Sequence, residues 1–483
     1  MLNFAFLGIA AFLFVLISTP LLRGLFIRRG LVDHPDGGRK LHARAVPRVG
    51  GIAIAFSYVC ALLLLFVFNP GGSRIYVQHG HLLYALLPTA GLIFFVGLLD
   101  DLKGLRPTQK LAGQLLASMF AVGMGARLTI PYAPLWVSMV VSVGWLIGCT
   151  NAVNLIDGMD GLATGVSLVA TLTALCVALL TGNHGLALAT IPLAGCLFGF
   201  LVYNFNPASV FLGDCGSLTV GFALGCFSLI WSNRTGTWLG MIAPLMALAI
   251  PLLDVCLAIG RRFLRSAPIT QADRGHIHHM VLKLGFSTRA ATLILYAACA
   301  LCSSLAVLES FATRDDVGWA IFLTFCILLV AGIDRLSYTE FRAAGKSLHH
   351  STIRRAVQDE IYIEGLDRAL LNADSPESWW TIVDKLSADL SFASAHLEID
   401  GQAFGKRFII SSEPPSCRIH LEMGRRGILI LTRLSEASVP SGMMAVLNCF
   451  QKAALRETNT AQPVVAAGVS RSIDLQEQHR RAG

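Results

Sequence analysis

Charged side chains are scarce in this sequence. Asp, Glu, Lys and Arg make up 14% of the 483 residues, whereas 54% are hydrophobic and the mean hydropathy is +0.63. An average soluble domain carries about 25% charged residues. The shortage of charge excludes a soluble globular protein and indicates a polytopic α-helical membrane protein.

The sequence also lacks a cysteine framework, and we do not expect its start to be a cleavable leader. Its 12 cysteines are scattered through apolar segments, and the one close pair, Cys299 and Cys302, is a helical turn apart. This spacing predicts small core residues and neither a disulfide framework nor a zinc knuckle. No basic segment precedes the apolar residues 1–22, so we expect them to form a retained first span.

Hydrophobic runs long enough to cross a bilayer recur along the first two thirds of the chain. About twenty apolar residues in a helix span the hydrocarbon core. The sequence predicts about eleven such helices. They cover residues 3–22, 50–69, 81–99, 110–126, 133–150, 162–181, 186–203, 217–232, 238–260, 290–309 and 317–334.

Basic residues are distributed unevenly between the loops. Loops after odd-numbered spans carry 16 Lys and Arg, and loops after even-numbered spans carry 4. The positive-inside rule places the basic loops in the cytoplasm, the N-terminus outside and the C-terminus inside. Retained cytoplasmic charge explains the net charge of +8, so no nucleic-acid partner is expected.

The composition changes after residue 340. Ser375, Pro376 and Glu377 start a predicted helix that runs to about residue 390. Four predicted strands and a last helix follow, at 394–399, 405–411, 417–423, 427–434 and 441–455. We therefore predict a membrane domain over 1–340, a small cytoplasmic α+β domain similar to GAF-type sensors over 341–457, and a disordered tail over 458–483.

A polar segment over residues 151–161 interrupts the hydrophobic pattern. Four amide or carboxylate side chains recur in it at every third position: Asn151, Asn154, Asp157 and Asp160. Gly158 and Gly161 let the backbone leave the helix or approach a ligand closely. A loop that caps two helices is the simpler interpretation. Four oxygen-bearing side chains at one spacing favour a site for a hard cation and a polar ligand at the membrane edge.

Three other polar motifs fall on the same predicted face. Asp100 and Asp101 end the third span, where adjacent carboxylates repel unless a cation or proton lies between them. Asp214 lies in a glycine-flanked turn that suits either a metal ligand or a helix N-cap. A histidine motif comprises Arg274, His276, His278 and His279. Its crowding suits anion or sugar contacts better than tetrahedral zinc.

Together these motifs resemble the polyprenyl-phosphate N-acetylhexosamine-1-phosphate transferases, a glycosyltransferase family 4 group. The resemblance covers roughly residues 20–335. Its parts are Arg39 to His42, Pro47 to Gly51, Asp100-Asp101, Asn151 to Gly161, Phe211 to Ser217, and the histidine motif. It implies transfer of HexNAc-1-phosphate from a UDP-HexNAc, UDP-GlcNAc above all, to undecaprenyl phosphate with release of UMP. That reaction is the first lipid-linked step of cell-envelope polysaccharide synthesis in the inner membrane of a bacterium.

The resemblance also implies residue roles. Asp214 and Asn154 hold Mg²⁺, with Mn²⁺ as the alternative ion. The implied catalytic carboxylates are Asp100, Asp101, Asp157, Asp160 and Asp214, and which of them is the base stays open. The implied substrate contacts are Lys40, Arg48, Asn151, Asn154, Asp157, Asp160, Arg274, His276, His278 and His279. A homodimer is expected.

Two competing functions remain open at this point. A transporter is the main alternative, because transporters bury ionisable residues near the bilayer midplane at broken helices. Here most carboxylates lie at span ends, and Asp254 within the ninth span is the exception, with a hydrogen-bonded core group as its simple interpretation. A membrane receptor with a cytoplasmic sensor domain is weaker, because it leaves the loop carboxylates unexplained.

Overall fold

A computed structural model describes most of the chain. The described residues are 2–32, 46–68, 72–130, 132–232, 238–264, 275–312, 314–336, 350–390, 392–408, 417–423, 426–433 and 443–455. The chain divides into two compact units. The first contains Met1–Phe263 and Ala267–Ser337, and the second contains Leu264–Ser266 and Tyr338–Gly483.

The first unit is built from helices joined by loops in its described part. Its α-helices are α1 (Leu2–Arg28), α2 (Gly50–Phe68), α3 (Gly72–His79), α4 (His81–Lys103), α5 (Pro107–Gly123), α6 (Leu135–Ile156), α7 (Leu162–Leu180), α8 (His184–Asn204), α9 (Asp214–Ser232), α10 (Ile242–Ala247), α11 (Ala249–Leu264), α12 (Ile277–Lys283), α13 (Thr288–Ser310) and α14 (Asp315–Arg335). A 3₁₀ turn, Trp238–Met241, precedes α10.

Nine of these helices are long and apolar enough to cross a membrane, within the described part of the chain. They confirm a multi-pass membrane protein. The predicted fourth span corresponds to α5, which has 17 residues and is about 26 Å long at 1.5 Å per residue. It begins three residues earlier than predicted, because Pro107 occupies its first turn.

The predicted single helix over residues 238–260 is wrong. The segment is a 3₁₀ turn followed by α10 and α11, with a break at Leu248. Pro251 lies in the first turn of α11. It has no N–H to donate to the carbonyl of Ala247, so α10 cannot continue through this point.

Helix α6 is longer than its apolar run. The hydrophobic pattern predicts an end at residue 150, but the helix continues to Ile156. Asn151 and Asn154 therefore project from helical positions, and only Asp157 and Asp160 lie in the turn that follows. Because the helix persists, the four polar side chains leave the backbone in different directions.

Helix α9 is the central helix of the first unit. It is buried along almost its whole length and packs against α4 and α6. A Cβ added at Gly97 of α4 would lie 2.5 Å from the Asp214 carbonyl oxygen, so only glycine allows this approach. The close contact brings the end of α4 to the start of α9, where the acidic motifs meet.

The second unit has its own sheet and core. Its elements are α15 (His350–Leu371), α16 (Pro376–Asp389), β1 (Ser394–Ile399), β2 (Gln402–Arg407), β3 (Cys417–Glu422), β4 (Gly427–Arg433) and α17 (Met443–Leu455). The strands form an antiparallel sheet in the order β2-β1-β4-β3. Trp379 of α16 and Phe450 of α17 are fully buried in its core, with ring centroids 6.1 Å apart. An α+β fold is thereby confirmed.

One predicted strand of this unit is displaced. The sequence predicts 405–411, whereas β2 begins at Gln402, and residues 409–411 lie outside the described part. Asp400 and Gly401 both have positive φ, 50° and 79°. They form a two-residue hairpin turn of the kind that joins twisted antiparallel strands, so pairing starts immediately after them.

Candidate functional site

The segment before α2 pairs with the segment before α9. The Phe211 N–H donates to the Pro47 carbonyl at 3.0 Å, and the Gly50 N–H donates to the Phe211 carbonyl at 2.9 Å. Arg48 and Phe211 thus form an isolated parallel bridge. This pairing brings the first basic loop next to the turn that presents Asp214.

Lys110 joins two of the predicted acidic motifs. Its ammonium lies 2.6 Å from Asp100 Oδ2 and also contacts Asp214 Oδ2. The Asp100 carboxylate accepts a second bond, from the Leu105 N–H at 2.7 Å. The side chains are only 13–27% exposed, so screening by water is reduced and the cation strongly offsets the repulsion between the two acids.

Asp101 points away from Asp100. Its Oδ1 accepts from the Asp214 N–H and its Oδ2 from the Cys215 N–H, each at 2.9 Å. These are first-turn donors of α9, which have no partner within the helix. Asp101 therefore caps α9 and fixes the position of Asp214. Each of its two carboxylate oxygens accepts a backbone N–H in this arrangement.

Asn154 connects the polar segment to Asp214. Its Nδ2 donates to Asp214 Oδ1 at 3.1 Å and to Ser217 Oγ at 2.9 Å. Asn154 and Asp214, which are 60 positions apart in the sequence, are therefore adjacent, as a shared site requires.

Asp157 follows the last residue of α6 and is partly buried. Burial, together with the negative charges of Asp214 and Asp101, holds the pKa of the Asp157 carboxyl well above its ordinary value, while the charge of Arg48 opposes the rise. Asp157 therefore lies within electrostatic range of Asp214, Asp101 and Arg48.

Asn151 and Asp160 bind protein groups and not Asp214. Asn151 donates to Gln114 Oε1 at 2.7 Å and accepts from its Nε2 at 3.3 Å, which links α6 to α5. Asp160 Oδ2 accepts from Asn206 Nδ2 at 2.9 Å and from the Ala208 N–H at 3.0 Å. Both residues position the loops around the site.

The histidine motif reaches the polar segment through His278. Its ring is 2% exposed, and neither ring nitrogen has a hydrogen-bond partner among the described residues. A Cβ added at Gly158 would lie 2.8 Å from His278 Nε2. Burial lowers the pKa of His278 to about 3, with a further contribution from His279, so the ring is neutral at pH 7.

The other members of the motif lie in different positions. His276 Nδ1 is 2.8 Å from Asp254 Oδ2, which makes Asp254 the hydrogen-bonded buried acid that the sequence suggests. The His279 ring centroid is 4.2 Å from that of His278. The predicted substrate contacts Lys40 and Arg274 lie outside the described residues.

The groups around Asp214 fit a hard divalent cation that is bound together with phosphate. Within the described residues, no three His, Cys, Asp or Glu side chains are grouped closely enough to hold a metal ion alone. Mg²⁺ is usually bound through one or two carboxylates plus substrate phosphates. The Lys110 ammonium between Asp100 and Asp214 shows that these acids accommodate a positive charge.

Sequence reasoning missed Lys110 as a site residue. It counted this lysine only as a cytoplasmic charge, yet a signal is present. A lysine in the first turn of an apolar helix opposes the helix dipole, and it needs an acidic partner to be favourable there. The preceding Asp100-Asp101 pair is the nearest such partner in the sequence.

Comparison with known proteins gives one consistent group. The sequence model of glycosyl transferase family 4 matches residues 82–232, which include Asp100, Lys110, Asn154 and Asp214. A Bacillus subtilis (strain 168) protein, described as a probable undecaprenyl-phosphate N-acetylglucosaminyl 1-phosphate transferase, is 32% identical over 329 residues, 66% of this chain and 88% of the relative.

Two further relatives carry related descriptions. The decaprenyl-phosphate N-acetylglucosaminephosphotransferase of Mycolicibacterium smegmatis is 33% identical over 322 residues, 60% of this chain and 78% of the relative. The undecaprenyl-phosphate alpha-N-acetylglucosaminyl 1-phosphate transferase of Yersinia pestis is 30% identical over 377 residues, 72% of this chain and 98% of the relative.

Proposed function

The chain belongs to glycosyl transferase family 4, among the polyprenyl-phosphate N-acetylhexosamine-1-phosphate transferases, and on this premise we propose that it transfers GlcNAc-1-phosphate from UDP-GlcNAc to undecaprenyl phosphate. An oxygen of the lipid phosphate attacks the β-phosphorus of UDP-GlcNAc. The bond from that phosphorus to the bridging oxygen breaks, and UMP leaves. The cluster of Asp100, Lys110 and Asp214 at the ends of membrane helices carries the proposal.

The position of this cluster suits two substrates of opposite solubility. Asp100 lies in the last turn of α4, and Asp214 is the first residue of α9. Both helices are apolar over most of their length, so a lipid phosphate can reach the acids from the bilayer surface while a nucleotide reaches them from water. The transporter alternative is not supported, because the relatives compared above are transferases.

The residues around Asp214 have separable roles in this proposal. Asp214 and Asn154 would hold Mg²⁺, or Mn²⁺, together with the pyrophosphate of the nucleotide sugar. When bound, such an ion supplies neutralisation of phosphate charge. Lys110 donates to a phosphate oxygen and keeps Asp100 and Asp214 close. Asp101 acts through α9, because both of its oxygens bind backbone N–H groups there.

His278 is suited to the sugar. A neutral imidazole has one donor and one acceptor nitrogen, and those of His278 have no partner among the described residues. Buried polar groups without partners are rare in folded proteins. We assign the missing partner to the hydroxyl or N-acetyl groups of the hexosamine, because a neutral ring offers little to a phosphate charge.

The loop charges support the proposed orientation. The bias of 16 to 4 basic residues supports a site on the cytoplasmic side, with the N-terminus outside and the C-terminus inside. We propose a bacterial plasma membrane as the location. UDP-sugars are cytoplasmic, so this orientation supplies the donor. The product would feed cell-envelope polysaccharide synthesis, and the homodimer stays a prediction.

The direct test is an assay of purified protein with undecaprenyl phosphate, Mg²⁺ and a panel of UDP-sugars. We expect UMP release to require the lipid and to be fastest with UDP-GlcNAc. Preference for another UDP-HexNAc would correct the donor and leave the reaction class intact. Absence of lipid-dependent UMP from every donor would contradict the proposal.

Adding a methyl group at position 158 should impair the enzyme. In Gly158→Ala the new Cβ meets His278 Nε2 at 2.8 Å, so the imidazole has to move. We expect kcat/KM to fall by roughly tenfold to a hundredfold, the usual cost of an ångström-scale misplacement at an active site. Steady-state kinetics with varied UDP-GlcNAc measure it.

Gly144→Ala is the matched control for this variant. Gly144 lies on α6, the helix that precedes Gly158, and a Cβ there meets nothing within 4 Å. It should leave kcat/KM unchanged. Equal activity of both variants would show that His278 does not contact the substrate.

The C-terminal unit should be dispensable for the chemistry. Each site residue described above lies in the first unit, and the second unit has its own buried core. A chain that ends after residue 345 should therefore keep a kcat close to that of the full-length protein. A truncated protein that inserts and melts normally but releases no UMP would show that the second unit completes the site.

A further inference from the structure

Asp254 is a fully buried acid that the proposed reaction does not yet use. It lies on α11 and is 0% exposed. Burying a carboxylate is costly unless its oxygens are hydrogen-bonded. Here Oδ2 is 2.8 Å from His276 Nδ1, and Oδ1 accepts from the Ile277 N–H at 2.7 Å. His276 belongs to the histidine motif and Ile277 is the first residue of α12, so the acid connects α11 to the start of α12.

The geometry determines which nitrogen of His276 carries a proton. A carboxylate has only acceptors, so His276 Nδ1 must donate to it. In the neutral ring, Nε2 is then the acceptor nitrogen. The His276 ring also lies nearly parallel to that of His278, with an interplanar angle of 5° and centroids 5.7 Å apart. The orientation of one ring is therefore coupled to that of the other.

We propose that Asp254 is a positioning residue for phosphosugar transfer. It fixes His276 in its Nδ1–H tautomer and keeps the His276–His278 pair aligned with the polar segment at Gly158. His276 Nε2 is then the atom that contacts the sugar-phosphate group of the substrate. This inference rests on the proposed function, since it assigns a role in the same site.

The variant Asp254→Asn distinguishes a purely structural role of Asp254 from a role in setting the His276 tautomer. Asparagine has almost the same size as aspartate. In Asp254→Asn the amide oxygen can still accept from the Ile277 N–H, and the NH₂ group then faces His276 Nδ1. Two hydrogen bonds persist only if Nδ1 becomes the acceptor and the proton moves to Nε2. The variant should thus keep the fold and reverse the tautomer.

The first experiment compares Asp254→Asn with the wild type in the UMP assay and by ¹⁵N NMR of histidine-labelled protein. We expect unchanged thermal stability, an unchanged KM for the lipid and a kcat lower by roughly 10²-fold, the upper end of the loss when the carboxylate partner of a functional histidine is removed. The His276 signals are assigned by their loss in His276→Asn. They should show a proton on Nδ1 in the wild type and on Nε2 in Asp254→Asn. Asp316→Asn, whose acid pairs with Arg314 on the surface, is the matched control.

A second variant keeps the test decisive if Asp254→Asn does not fold. In His276→Asn the amide NH₂ can replace Nδ1–H toward Asp254, and nothing replaces Nε2. We expect this variant to fold and to lose activity, and Asp254→Asn/His276→Asn to lose no more than His276→Asn alone. Activity of His276→Asn within twofold of wild type, or multiplicative losses in the double variant, would overturn the inference.

The outcome can be separated from failure of the proposed function. If wild-type protein releases no UMP from any donor, the function is wrong. The His276 tautomer, which is read from the ¹⁵N signals, can be measured without turnover. An unchanged His276 tautomer in folded Asp254→Asn would overturn the inference even if the transferase assay succeeds.

Discussion

Replacing Asp214 by asparagine should lower kcat by at least about 10³-fold and leave the protein folded and inserted. The Asp214 carboxylate contacts Lys110 and Asn154 at the place where a metal ion and pyrophosphate would meet. Asparagine keeps the volume and the contact with Asn154, and it removes one negative charge. Initial rates at saturating substrates, with melting temperature as the folding check, measure the loss.

Asp316→Asn is the control for that variant, because Asp316 is 63% exposed in its pair with Arg314 at the start of α14. It should retain wild-type kcat. The metal-binding role of Asp214 would be contradicted if Asp214→Asn kept more than about a tenth of wild-type activity at high Mg²⁺, because loss of the charge would then cost under about 1.4 kcal/mol of transition-state stabilisation.

Replacing Lys110 by methionine should lower kcat by roughly 10²-fold to 10³-fold, the range seen when a single charge-stabilising donor is removed from an active site. Methionine keeps an unbranched side chain but has no charge and no N–H donor. Asp100 and Asp214 would lose the cation between them, and the lipid phosphate would lose a donor. Kinetics with varied undecaprenyl phosphate should show a higher KM in addition to the lower kcat.

Lys103→Met is the matched control, since Lys103 is an exposed residue at the end of α4. It should retain normal kinetics. If Lys110→Met and Lys103→Met were equally active, Lys110 would serve only to neutralise charge in the substrate-free protein.

The sequence was sufficient to predict that the acidic motifs share one site, because the number of spans between two motifs determines whether they lie on the same face of the membrane. Asp100 ends the third predicted span and Asp214 begins the eighth. Four spans separate them, and an even number of crossings puts both acids on one face. The contacts through Lys110 confirm that they meet. The periodicity of hydrophobic residues determines such an arrangement without knowledge of packing.

The direction of each side chain could not be predicted in this way. Asn151, Asn154 and Asp160 recur at one spacing, which suggests a single ligand. The structure gives them partners on α5, on α9 and in the loop after α8, respectively. These partners depend on which helices pack against α6 and on where α6 ends, and both are tertiary properties.

The partners of Asp101 could not be predicted from the sequence either. Two adjacent carboxylates suggest a shared cation, yet Asp100 binds Lys110 whereas Asp101 caps α9. The cap exists because α4 approaches α9 closely at Gly97. Neither the close approach nor the break at Leu248 follows from hydrophobicity, since apolar runs do not indicate where backbone donors lack partners.

The fate of the two phosphates of UDP-GlcNAc tests the central claim most directly. The donor is labelled with ³²P in the β-phosphate and incubated with purified protein, Mg²⁺ and undecaprenyl phosphate. Transfer of a phosphosugar predicts that the label moves to the lipid fraction and that unlabelled UMP appears in equal amount. Label that stays in the aqueous phase as UDP, with unphosphorylated sugar on the lipid, would contradict the account.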